Sequence, residues 1–132
     1  REAERVQGEL REYLAAYQEV IPMLAGAGVV TRDLGGGDNA AGRLYLWPAD
    51  RRAMLVVDGL PSLAADRVYQ LWLIRDGRRD SGGTFAVGES GGGMLVVNAP
   101  LPLSHYQAAG ITVEPNGGSL APTSPRVLGG TL

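Results

Sequence analysis

Proton transfer and metal binding call on His, Cys, Asp and Glu, and this chain offers one His, no Cys and 14 acidic residues. His105 follows Ser104, but neighbours on an extended backbone point to opposite faces, so that serine cannot present its hydroxyl to the imidazole. One imidazole without cysteine also falls short of a zinc ligand set. His105 therefore reads as an exposed loop residue. Among the carboxylates, Asp33 with Asp38 and Asp76 with Asp80 are close enough in sequence to share a calcium ion, yet neither pair sits in a coordinating-loop pattern. Glu114 precedes Pro115 and has no partner carboxylate placed to share acid–base work. Its expected role is structural, with its oxygens accepting backbone N–H groups from the turn Asn116-Gly117-Gly118-Ser119. The run Gly35-Gly36-Gly37 is followed by no Lys-Ser/Thr and opens no helix, so it is not a phosphate loop. No catalytic, cofactor-binding or metal residue is expected, and the chain does not read as an enzyme.

The elements around these residues are short strands. Arg67 to Arg75 is the densest apolar and aromatic run in a chain that is 6% aromatic. Alternation puts Tyr69, Leu71 and Leu73 on one face and Val68, Gln70, Trp72 and Ile74 on the other. Both faces are largely apolar, which predicts a central strand covered on each side. Further strands are expected over 29–34, 42–47, 52–58, 81–87, 93–98, 110–114 and 126–128. Asp76 to Asp80 is expected as a charged hairpin tip, and Ser104-His105-Tyr106 as a short turn. The segment from Pro115 to Pro125 is expected as a long rigid loop. Seven or eight short strands separated by turn residues predict an all-β antiparallel β-sandwich.

One helix is expected to precede the sandwich. Val6, Leu10, Tyr13, Tyr17, Val20 and Leu24 recur at spacings of four and three, with Leu14 and Ile21 widening the stripe. Pro22 stops or kinks it, and Gly26 and Gly28 end it. This divides the chain into an amphipathic helix at 1–27 and a β-sandwich domain at 28–132. The stripe can dock on the domain's own sheet, or pair with a second copy through Val6, Leu10, Tyr13 and Tyr17.

The chain has 132 residues, 45% of them hydrophobic, enough for one domain with its own core. The net charge is −2 and all 12 basic residues are Arg. That balance gives no positive field for nucleic acid. No run of about 18 apolar residues spans a membrane and no secretory leader pattern is present. Opening mid-helix without Met, the sequence reads as a segment of something longer.

Two motifs together resemble one family. The first is Val68-Tyr69-Gln70-Leu71-Trp72-Leu73-Ile74, followed by Asp76-Gly77 and Ser81-Gly82-Gly83-Thr84-Phe85. The second runs Ile111-Thr112-Val113-Glu114-Pro115-Asn116-Gly117-Gly118-Ser119-Leu120-Ala121-Pro122-Thr123-Ser124-Pro125. They are similar to the C-terminal domain of anti-sigma-K factors of the RskA type, and the similarity covers about residues 43–130. The resemblance implies a bacterial single-pass membrane protein whose C-terminal domain is extracytoplasmic. It implies that a cytoplasmic region absent from this chain holds an extracytoplasmic-function sigma factor. It implies release by regulated proteolysis, with a site-1 protease acting near the N-terminal helix, which is then juxtamembrane. It supplies no catalytic residues. The motif Tyr69, Gln70, Leu71, Trp72 and Leu73 is expected to hold the core. The loop carrying Glu114, Pro115, Gly117, Gly118, Ser119, Pro122 and Thr123 is expected to be structural, or a sensory surface. The alternative is a cell-surface ligand- or carbohydrate-binding module, with Tyr45, Trp47 and Trp72 as an aromatic platform.

Overall fold

A computed structural model of the chain describes residues 28–36 and 39–132. The amphipathic helix expected over 1–27 lies outside the described residues, as does Asp38.

The described chain is an antiparallel sandwich of two four-stranded sheets. Sheet A takes the order β1 (Val30–Leu34), β2 (Ala41–Leu46), β3 (Arg52–Asp58) and β6 (Gly93–Asn98). Sheet B takes the order β5 (Arg78–Phe85), β4 (Arg67–Arg75), β7 (Ala108–Pro115) and β8 (Leu128–Thr131). A single 3-10 turn, Leu103–His105, precedes β7.

β4 lies between β5 and β7, as its doubly apolar sequence requires. Its inward residues Tyr69, Leu71 and Leu73 are buried against Leu44, Leu55 and Val97 of sheet A. Full burial of each such leucine contributes about 1.5–3 kcal/mol. Tyr69 stacks on Phe85 at 5.6 Å between ring centroids, and its hydroxyl donates to the Pro61 carbonyl. The outward residues Gln70 and Trp72 are buried as well, at 3% and 2% exposure. Their cover is the segment between β7 and β8.

Three local expectations need correction. The β4–β5 hairpin turns at Asp76-Gly77 alone, and Arg78 already pairs with Arg75. Both turn residues have positive φ, 48° and 76°, the two-residue geometry that matches strand twist, so Arg78 to Asp80 belong to the strand. The last strand is 128–131 rather than 126–128. It uses Gly129 and Gly130 because its neighbours come too close for side chains: a Cβ on Gly130 would lie 2.6 Å from the Asp33 carbonyl oxygen. β7 is also longer than expected, starting at Ala108. A bulge between Leu71 and Trp72 leaves Gly82 as the extra residue of β5, pressed between Leu71 and Val97.

One edge of the sandwich is closed. Gly35, just past β1, exchanges two backbone hydrogen bonds with Gly129 of β8, at 3.1 and 2.9 Å. The first and last strands thereby join the two sheets.

Candidate functional site

The outer face of sheet B holds most of the buried polar groups among the described residues: Gln70, Thr112 and Glu114. The period of two explains their company. Thr112 and Glu114 alternate outward along β7, Gln70 and Trp72 along β4, and the register sets Gln70 opposite Thr112. The loop after Pro115 then folds back across them.

Glu114 is fully buried, and no cation pairs with it among the described residues. Neutral donors take the place of a cation. Oε1 accepts from the Ser119 hydroxyl at 2.8 Å and from the Thr123 hydroxyl at 2.6 Å. Oε2 accepts from the Thr112 hydroxyl at 2.5 Å. The Thr123 backbone N–H points at both oxygens, at 3.2 and 3.1 Å. Burial pushes this carboxyl up, but the Thr112, Thr123 and Ser119 donors together outweigh it and hold it below its ordinary value. The expected donors, the backbone N–H groups of 116–119, do not serve Glu114. The Ser119 N–H goes to Gln70 Oε1 at 2.9 Å, and the Gly118 N–H to the Pro115 carbonyl.

Gln70 grips the loop from below. Its amide Nε2 donates to the Ser119 carbonyl at 3.1 Å and the Ser81 hydroxyl at 2.8 Å. Both backbone groups of Ser119 are thus tied to one side chain. Trp72 extends the chain of bonds, donating from Nε1 to Thr112 Oγ1 at 2.8 Å. Ser124 closes the far end: its hydroxyl donates to the Val113 carbonyl at 2.6 Å and accepts the Val113 N–H at 3.2 Å. Gly117 and Gly118 supply the φ values of 94° and 85° that turn the chain back. A Cβ on Gly118 would lie 3.0 Å from Thr84 Cγ2 and 3.2 Å from Gln70 Oε1.

The two motifs are therefore one structure. Every polar residue of the second motif that was singled out meets the first, directly or through Glu114. Pro115 ends β7 exposed, and Pro122 is half-buried at the rim. Thr112 and Ser124 also belong to the network, with two hydrogen bonds each. Their signal was the alternation of Thr112 with Glu114 and the fixed distance of Ser124 from Val113.

Residues 1–127 match the family described as anti-sigma-K factor rskA, C-terminal. This chain belongs to that family. Membership makes it a C-terminal domain of the kind found in anti-sigma-K factors. The RskA-type chain is also 32% identical over 101 residues to an uncharacterised protein in the phr 5′ region of Streptomyces griseus. The matched stretch covers 76% of the chain and 40% of that relative, so the chain spans well under half of the relative's length. No solved structure matches. No helix among the described residues is long and apolar enough to cross a membrane.

The remaining candidates are dispersed over the RskA-type domain. Ser104 and His105 are exposed in the 3-10 turn. Asp33 pairs with Arg43 at 3.0 Å. Asp80 accepts from Arg75 Nε at 3.0 Å and the Tyr106 hydroxyl at 2.7 Å, while Asp76 is exposed at the turn. Tyr106 first and Arg75 next hold the Asp80 carboxyl below its ordinary value against the opposing effect of burial. The aromatic platform does not form as a set of three, because Trp72 is buried under the loop while Tyr45 and Trp47 are half-buried on sheet A and beyond it.

Proposed function

We propose that this domain is the extracytoplasmic sensor of a single-pass, membrane-bound anti-sigma factor. In this reading it gates the regulated proteolysis that frees an extracytoplasmic-function sigma factor. The supporting observation is the family match, which runs from residue 1 to 127 and takes in the amphipathic segment with the sandwich. In this reading the folded domain keeps a site-1 protease from residues 1–27, and cleavage waits on local opening.

The sensory surface of this reading is the loop from Glu114 to Pro125. Leu120 at its tip is fully exposed, at 101% of the reference area, while Ser119 and Thr123 beside it are pinned to Glu114. The stripe Val6, Leu10, Tyr13 and Tyr17 gives a route to a homodimer in the same reading.

Limited proteolysis tests the gate. The full-length protein is digested with the domain native, and again with the domain held unfolded in urea by a urea-tolerant protease, both rates being normalised to an unstructured peptide. Cleavage within residues 1–27 is expected to be at least tenfold slower in the native protein. Equal rates refute gating.

A further inference from the structure

We propose that the cleft between the 119–126 loop and the outer face of sheet B is a binding site for an organic carboxylate with a small apolar body. The cleft holds about 520 Å³, within the roughly 300–1,000 Å³ of small-molecule sites. Its floor is Ile74 with the edge of Trp72, its roof is Ala121 and Pro122, and Arg79 and Arg126 line it from opposite sides.

The two arginines set the ligand's charge. Neither forms an ion pair with a carboxylate among the described residues, whereas Arg43 and Arg75 do. Arg79 is in register with Ile74 on the neighbouring strand, so it rises at the β5 side of the floor. Arg126 is positioned by two glycines that pair across β7 and β8, Gly110 and Gly129. A Cβ on Gly129 would lie 2.5 Å from Arg126 Cδ and 2.7 Å from Nε and Nη1; one on Gly110 would lie 3.0 Å from Cδ. The bare strip laid down by these glycines is what the arginine stem occupies, which sets the guanidinium beside the cleft. Each guanidinium can give an incoming carboxylate charge-assisted, bidentate bonds.

The other polar groups of the cleft are already engaged. The Thr112 hydroxyl donates to Glu114 and accepts from Trp72, and the Ser124 hydroxyl is used on both sides by Val113. With hydroxyl donors and acceptors spoken for and Trp72 nearly buried, a neutral sugar finds few partners. An anion finds two. Ile74, Ala121 and Pro122 leave room for a methyl-sized side chain beside it. This site is independent of the gating reading.

Titration of the 132-residue protein with acetyl-Ala-Ala tests the proposal, followed by NMR at the Trp72 indole N–H and the Ala121 methyl. A saturable shift is expected, with the C-terminally amidated peptide binding at least roughly tenfold more weakly, since it lacks the charge that makes the bonds to arginine strong. Arg79→Gln and Arg126→Gln are each expected to weaken the acid severalfold, with the fold retained because both side chains are exposed. Acetate as a second probe separates the sources: equal affinity means a free small acid, tighter binding of the peptide means a peptide C-terminus. Equal binding of acid and amide, wild-type affinity in the doubly substituted protein, or no saturable shift for any probe overturns the proposal.

Discussion

Sheet B holds two acidic side chains by opposite means. Asp80, at the β5 end, is about one-fifth exposed and is gripped by a guanidinium and a phenol. Glu114, at the β7 end, is fully buried and is gripped by three hydroxyls and one backbone N–H. The first is an ion pair near water, where Coulomb attraction is screened and small. The second is a charge in a dry place, where each donor counts in full and each loss leaves a buried group unpaired. The ion pair ties together a hairpin that its own turn already defines. The buried charge orders a loop of ten residues with no regular structure, Asn116 to Pro125. A charge without a cation there can be met from any direction, so it gathers Thr112, Ser119 and Thr123 from separate points of the chain.

The largest expected effect comes from removing the buried charge. Glu114→Ala strands the hydroxyls of Thr112, Ser119 and Thr123, and is expected to cost about 3 kcal/mol or more in urea unfolding. Glu114→Gln keeps the shape but turns an NH2 toward donors, and is expected to cost about 2–3 kcal/mol. A loss under about 0.5 kcal/mol for either would make the two acids equivalent, against their difference in burial.

The pH dependence sharpens the same contrast. Both carboxyls are held below their ordinary values of 4.5 and 3.8. Their stabilisation is therefore complete above those values and lost as pH falls through the lower folded-state ones. Urea midpoints measured from pH 7 to pH 2.5 are expected to fall steeply on the acid side in the wild type. The fall is expected to be shallower in Glu114→Gln, which no longer has that proton to bind.

Trp72→Phe is next, at about 1–3 kcal/mol, from the lost indole N–H bond to Thr112 and the volume left under the loop. Amide exchange in residues 116–127 is expected to quicken in this variant and to stay unchanged near Asp80. Tyr106→Phe, which removes the phenol from Asp80, is expected to cost about 1 kcal/mol. The smallest effect belongs to Arg75→Gln. Its destabilisation is expected to shrink in 1 M salt, roughly a 3 Å screening length, whereas that of Glu114→Gln is expected to persist.

The sandwich was legible in the sequence because its strands alternate and its turns carry Gly, Asp and Pro. The central position of β4 followed from Leu71 and Trp72 being apolar on opposite faces. That Glu114 lacks a partner acid was legible, but its donors were not. They come from residues up to nine positions away, and only the path of the loop across sheet B brings Thr123 to the carboxylate. The edge strand β8 was misplaced because Leu128-Gly129-Gly130-Thr131 has little strand propensity of its own. Close approach by Asp33 and Arg126, not side-chain preference, selects those glycines. The pairing of Tyr106 with Asp80 left no local pattern, as it joins residues 26 apart.

The Gly35–Gly129 contact has a mechanical consequence. A tug on the chain ahead of β1 loads first the hydrogen bonds to β2 and the two that reach β8. β8 in turn is hydrogen-bonded to β7, the strand that carries Glu114. Force entering at one end of the sandwich thereby has a path through β8 to the strand that anchors the far loop.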